Sequence, residues 1–361
     1  MNAMNNVPNT APGQQELDPD GLPLFRHPAP QPDWLAKLRE DILEPDLAII
    51  DPHHHLWDLH GGYLLDDLIA DTSSGHRIVA TVFSQCGWSY REDGPVAMRP
   101  VGETKRVAAV AIEAERRKLP TRVCAGIVGH ADMELGEAVA PVLQAHVEAG
   151  AGRFRGIRHI TARDEGISAS MMGRPPADLL QRKAFLQGLK TLQAAGLSYD
   201  AWLYFKQIPQ LVDIARAVPG LPIVLNHLGA PLGVGPYSGK RDEVFKTWSA
   251  SMKDLAACPN VHMKLGGLAM VIMGFDYHKL PTPPSSQTIA QAWSPYLQTA
   301  IELFGAKRCM FESNFPVDKS MTSYAVLWNA FKRVAAGSSA SDKAWLFRET
   351  ANSFYRLDIK A

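Results

Sequence analysis

Eight short, largely apolar segments recur along this chain, separated by stretches with helical spacing. That alternation restricts the fold more than any other feature. The segments are residues 48–52, 78–86, 122–128, 154–160, 198–204, 223–226, 261–265 and 309–313. Apolar runs of this length suit parallel strands buried on both faces. Between them, Leu135, Val139, Val142 and Leu143 in 134–149 fall three or four residues apart, as do Val244, Trp248, Met252 and Leu255 in 243–256. This is the period of a helix with one buried stripe. Residues 104–118, 294–304 and 323–335 read the same way, and a final helix over 341–354 opens on a serine suited to capping. Eight strands alternating with helices predict an α/β fold, a (β/α)8 TIM barrel. A doubly wound sheet fits less well, because no G-x-G-x-x-G follows any strand.

The barrel is expected over residues 45–361, with an extended N-terminal arm over 1–44. Residues 1–31 are rich in Asn, Pro, Gln and Gly, and Pro28, Pro30 and Pro32 forbid a regular helix there. The expectation is an arm that is disordered or lies along the surface, followed by a short helix from Trp34 to about Leu43. With 46% hydrophobic residues in 361, the chain can bury one large core. Lys plus Arg and Asp plus Glu number 37 each, and no basic stripe stands out, which argues against nucleic acid and for a small-molecule substrate. No apolar stretch is long enough to span a bilayer, and the N-terminus lacks the features of a signal peptide. A cytoplasmic protein with no membrane partner is expected. Cys86, Cys124, Cys258 and Cys309 are widely spaced, and Cys86, Cys124 and Cys309, in apolar runs, read as small core residues of a reducing compartment. A homo-oligomer is left open.

In a barrel of this kind, chemistry sits at the C-terminal ends of the strands. The first strand ends in Asp51-Pro52-His53-His54-His55-Leu56-Trp57-Asp58. Side chains alternate along a strand, so His53 and His55 are expected on one face with Asp51. Two converging imidazoles make half of a metal or proton-transfer site. The later strand ends add Gln85, His130 with Asp132, Arg155 with Arg158 and His159, Tyr204, His227, Lys264, and Glu312 with Asn314. Arg155 and Arg158 fall on opposite faces, and Arg158 is expected to point inward as an anchor for a carboxylate or carbonyl. His159 then points outward. Gln85, Tyr204 and Lys264 are candidate substrate contacts, with Lys264 expected to pair with Glu312. The loop 270–287 carries Met270, Ile272, Met273, Phe275 and Tyr277. It is read as a substrate cover, or alternatively as a dimer contact or satellite core, and Trp88 and Tyr90 have the same readings.

DPHHHLWD (51–58), FRGIRHI (154–160), LNHLGAP (225–231), KLGG (264–267) and FESNFPVDK (311–319) together resemble the amidohydrolase superfamily. The likeness is to the amidohydrolase-2 branch of metal-dependent hydrolases that contains sugar lactonases and 2-pyrone-4,6-dicarboxylate lactonases. It implies a hydrolase that opens a cyclic ester by activated-water attack. His53, His55 and His227 would hold a divalent metal, zinc or manganese, or the substrate carbonyl where the ion is absent.

Two positions depart from that pattern. Phe205 stands where the fifth strand is expected to carry a histidine, and Asn314 stands where the eighth carries an aspartate that takes a proton. Asparagine cannot act as a general base. Glu312 shares a face with Asn314 and is the expected replacement. The departures keep two alternatives in view: a non-hydrolytic, decarboxylase-like lyase, and a catalytically decayed ligand-binding barrel.

Overall fold

The computed structural model describes residues 16–58, 61–169 and 174–360, so the first fifteen residues of the expected arm lie outside the described residues. Eight strands form one sheet in chain order: β1 (Ala48–His54), β2 (Arg77–Ser84), β3 (Arg122–Gly129), β4 (Phe154–Ile160), β5 (Ser198–Trp202), β6 (Ile223–Leu225), β7 (Val261–Leu265) and β8 (Cys309–Phe311). Every ladder from β1–β2 to β7–β8 is parallel. The ring closes past the end of β8. There Asn314 N–H donates to the His53 carbonyl at 2.9 Å and His55 N–H to the Phe315 carbonyl at 2.7 Å. The expected (β/α)8 barrel is the observed architecture.

The barrel interior has two levels. The lower one is apolar: Ile50, Ala80, Val82, Ala125, Val128, Val224 and Met310. The alanines leave space on the axis, and Phe354, Tyr355 and Leu357 from the end of the chain fill it. The upper level is polar and holds the site described below. Outside the strands, a much larger apolar layer packs beneath the helices.

The helices are α1 (Pro32–Leu35), α2 (Leu65–Thr72), α3 (Val101–Arg116), α4 (Ala140–Ala149), α5 (Lys183–Ala194), α6 (Ile208–Ala217), α7 (Arg241–Ala256), α8 (Ser286–Phe304), α9 (Tyr324–Val334), α10 (Ala340–Ala344) and α11 (Thr350–Phe354). Several differ from the sequence expectation for local reasons. The helix after Trp34 stops at Leu35, because Glu40 is drawn off to cap Ser286 N–H at 2.7 Å and to bond Asn329 at 3.1 Å. The pattern over 134–149 is broken at Gly136, whose φ of 58° is not helical. A 3-10 stretch therefore precedes α4, which carries its proline in the first turn where no N–H is missed. Pro295 does not open α8 but sits inside it; the helix begins nine residues earlier, capped by Ser285. The last helix is likewise interrupted by a π turn, Trp345–Glu349, between α10 and α11.

From Glu16 the arm is tied down at several points. Leu24 bridges Ser168, the Trp34 indole donates to the Leu280 carbonyl at 2.8 Å, and Lys332 donates to the Leu43 and Glu44 carbonyls. The expected loop 270–287 is largely core: Met270, Ile272, Met273 and Tyr277 are buried in the main apolar cluster. No helix among the described residues is long and apolar enough to cross a membrane.

Candidate active site

The first strand does not alternate as expected. A bulge lies between Asp51 and His54, where three residues of β1 oppose two of β2. The bulge turns Asp51 away from His53 and His55, which corrects the expectation that all three share a face. The Asp51 carboxylate instead staples the seam between β1 and β8. It accepts from Ser313 N–H at 3.0 Å, Ser313 Oγ at 2.6 Å and Tyr324 Oη at 3.0 Å. Ile50 stays in the interior, and after the bulge His53 and His55 return to it, their rings 4.9 Å apart.

Glu312 stands between two imidazoles. Its Oε1 lies 2.7 Å from His227 Nδ1 and its Oε2 lies 2.8 Å from His53 Nδ1. His227 and His53 approach to 4.5 Å between ring centroids. One ligand atom from each of His53, His227 and Glu312 falls within 4.8 Å of the others, and all three side chains are buried. This compact set takes Glu312 in place of His55, whose Nδ1 is engaged by the Ser84 carbonyl at 2.8 Å. Burial pushes the pKa of His53 and His55 well below the ordinary histidine value, and the Lys264 and Arg158 cations push the same way. Burial also lowers His227, against the pull of Glu312. Neutral imidazoles are the form that ligates a metal or accepts a proton.

These residues fit a divalent ion. Glu312 Oε2 is fully shielded from solvent and faces His53 Nδ1 without the geometry of a hydrogen bond. Two imidazoles and one carboxylate, with a position left for water or substrate, are a donor set of the catalytic zinc type.

Arg158 reaches into the barrel from β4, as expected. Its Nη1 lies 3.4 Å from His53 Nε2, its Nε donates to Gln85 Oε1 at 3.2 Å, and its Nη2 donates to the Gln85 carbonyl. Among the described residues no carboxylate stands within ion-pair distance of it. A buried guanidinium held by neutral partners is a receptor for a developing or resident negative charge. Gln85 is held in turn by Tyr90 Oη at 3.0 Å, so it orients Arg158. Arg155 points elsewhere and bonds the Gly152 and Phe154 carbonyls. His159 packs outward on Phe185, and His130 bonds the Arg158 carbonyl.

Lys264 is paired, but with Asp200 at 2.8 Å and not with Glu312. The expectation fails because both Glu312 oxygens face imidazoles. Asp200 also accepts from Tyr355 Oη at 2.7 Å, so a residue of the barrel floor braces the polar level above it. Lys264 Nζ lies 3.2 Å from His53 Nδ1 as well.

Two glycines make room for the cluster. A Cβ at Gly266 would lie 2.5 Å from Glu312 Cγ, and one at Gly267 would lie 2.6 Å from His227 Cγ. The KLGG segment thus supplies a cradle as well as Lys264. Asn314 turns away from the imidazoles and donates to Asp318 Oδ1 at 2.7 Å. Asp318 is buried, and that burial raises its pKa well above the ordinary carboxylate range.

Phe205 lies off the site, packed edge-on against Tyr237 at 5.5 Å. β5 ends three residues earlier, and the side chain it brings to His227 is Trp202, edge-on at 4.7 Å. Tyr204 lies one ring farther out, against Trp202. Trp57 stacks on His55 at 5.9 Å. Both tryptophans escaped the sequence analysis, although each sits two residues from a candidate on the same face: Trp57 from His55 and Trp202 from Tyr204.

The family profile described as Amidohydrolase matches residues 50–357. The uncharacterised protein y4mH of Sinorhizobium fredii is 33% identical over 335 residues, covering 86% of this chain and 99% of that one. An L-fucono-1,5-lactonase of Burkholderia ambifaria is 26% identical over 284 residues, 74% of this chain and 87% of that enzyme. The crystal structure of a Burkholderia multivorans amidohydrolase with bound zinc aligns with a TM-score of 0.65 at 24% identity, over 86% of this chain and 99% of that one. The matched span runs from the first strand through the floor of the barrel and takes in every group of the cluster, and the chain belongs to the amidohydrolase family.

Proposed function

We propose that this protein hydrolyses a lactone, with water attacking the ester carbonyl at the mouth of the barrel. The observation that carries the reading is the convergence of His53, His227 and Glu312 on one buried point beside Arg158. The relative named L-fucono-1,5-lactonase supports a sugar lactone as the substrate class. His53, His227 and Glu312 would hold a divalent ion, zinc or manganese. Bound there, it would polarise the carbonyl and acidify water.

The chain's own groups have distinct tasks. Water forms the new C–O bond, and Arg158 receives the negative charge that collects on the carbonyl oxygen. Glu312, whose carboxylate can ligate through one oxygen, takes the proton from water on the other and returns it to the departing ring oxygen, leaving a hydroxy acid. Gln85 aims Arg158, and His55 sits beside His53 with its orientation fixed by the Ser84 carbonyl. Lys264, neutralised by Asp200, contributes position and not net charge. Trp57 and Trp202 form apolar walls that limit water to the attacking molecule. Tyr204 supports Trp202. Asn314 holds Asp318 and takes no proton itself.

The test is acid release from a panel of aldonolactones by the purified protein, read by pH-stat, beside its zinc and manganese content. Turnover that depends on a bound ion supports the reading. Carbon dioxide release from aromatic acids without lactone turnover overturns it. All four cysteines are free thiols, which supports a reducing, cytoplasmic setting.

A further inference from the structure

The arm is more than packing. It is fastened at two places beyond the C-terminal ends of strands. Phe25 N–H donates to the Ser168 carbonyl and Ser168 N–H to the Pro23 carbonyl, both at 2.8 Å, in the segment after β4. Trp34 Nε1 and Lys37 Nζ donate to the Leu280 and Pro281 carbonyls at 2.8 and 3.2 Å, in the segment after β7. Residues 25–33 therefore run across the mouth from the β4 sector to the β7 sector, past the ends of β5 and β6. Those two ends carry Trp202 and His227. Phe25 meets Gly235, in the segment after β6, on the way. Pro28, Pro30 and Pro32 stiffen this crossing, because proline fixes its own φ and restricts the residue before it.

His27 is the one imidazole in the crossing. Its Nδ1 is shielded from water and has no hydrogen-bond partner among the described residues. Burial holds its pKa at about 4, with His227 near enough to push the same way, so the ring is neutral. A buried polar atom without a partner is costly in a folded chain and calls for a reason.

We propose that His27 is a substrate-contacting residue brought to the site by the arm, its Nδ1 hydrogen-bonding an oxygen of the lactone above His227. The assignment rests on the hydrolase reading and adds a determinant that comes from outside the strands. The contact is made in ground state and transition state alike, so its loss raises KM more than it lowers kcat.

The experiment compares His27→Phe and His27→Asn with the wild type on L-fucono-1,5-lactone and the other aldonolactones of the panel, with zinc content and thermal midpoint measured alongside. In His27→Phe, KM is expected to rise about tenfold, the loss of one hydrogen bond, with kcat within about threefold. The midpoint should be unchanged or higher, because the phenylalanine removes the unpaired nitrogen. His27→Asn keeps a polar atom near the Nδ1 position and should hold KM within about threefold. A His27→Phe protein with wild-type KM on every lactone turned over overturns this assignment and leaves the hydrolase reading standing. No turnover by the wild type overturns the hydrolase reading first, and this assignment with it.

Discussion

Replacing Gly267 with alanine tests the packing of the cluster directly. Gly267 has a φ of +69°, and its added methyl would press on His227 Cγ at 2.6 Å and Cβ at 2.8 Å, against an ordinary contact of 3.4–4 Å. The left-handed backbone alone costs a residue with a Cβ about 1–2 kcal/mol. The ring must also retreat by about 1 Å, which stretches the 2.7 Å bond from His227 to Glu312 beyond hydrogen-bond range. A hydrogen bond to a charged group is worth about 1.5–3 kcal/mol, so the total is about 3–5 kcal/mol. For a chain of this length the thermal midpoint falls about 1–2 °C per kcal/mol, or about 3–10 °C here. A misplacement of about 1 Å at the chemistry lowers kcat about 100-fold. Calorimetry, zinc competition and lactone turnover read the three effects. Gly196→Ala is the control: it has the same φ of +69° but nothing within 4 Å, so it loses only the backbone contribution and keeps full activity. If Gly267→Ala matches Gly196→Ala in all three measurements, the tight contact between this backbone and His227 is wrong.

Glu312→Gln keeps the shape of the side chain but removes its charge; turnover should fall at least about 1,000-fold and zinc affinity at least about tenfold, with circular dichroism unchanged. Full activity would discard Glu312 from the chemistry. Arg158→Met removes a buried cation that has no carboxylate partner among the described residues, so stability should hold or rise, by urea titration, while kcat/KM falls about 100-fold. A loss of stability with kcat/KM intact would make Arg158 structural. Burial lowers the pKa of His54, His76, His146 and His262 to about 4 and that of His159 to about 3. The unfolded chain therefore binds more protons than the folded one between these values and 6.5. Stability contributed by the neutral rings is complete above pH 6.5 and is lost as pH falls through that window, by about 1.2 kcal/mol per pH unit for each histidine near pH 5. Urea midpoints that stay flat from pH 6.5 to 5 would contradict the burial of these rings.

Much of the barrel was legible because parallel strands bury both faces, and runs such as Ile223–Leu225 and Val261–Leu265 announce that directly. Simple alternation put Arg155 and Arg158 on opposite faces, and β4 keeps its register with β5 from Gly156 to Ile160, where Arg158 lies. The aim of Asp51 did not follow. Its direction depends on a bulge set by the closing of the seam with Ser313 and Tyr324, which lie at the far end of the chain. Helices α2, α5 and α6 were absent from the expected set, although Phe185, Leu189 and Leu192 give α5 the same spacing as its neighbours. The sequence offers Glu312 as the candidate carboxylate for Lys264. The geometry prefers Asp200 on β5, reached past the short strand β6, a choice visible only once the interior is assembled. The partner of Gly267 could not be read either, since a glycine reports an absence of volume but not what occupies it.

The floor of the barrel has a consequence for how the molecule is made. Phe354, Tyr355 and Leu357 fill the space on the axis that Ala80 and Ala125 leave, and Tyr355 braces Asp200. On the ribosome, the strand that bears His53 emerges about 260 residues before its seam partner Ser313 and about 300 before Tyr355 of its floor. Vectorial synthesis cannot finish this protein piece by piece, and a nascent chain stalled short of Tyr355 should remain open to protease at strands long since translated.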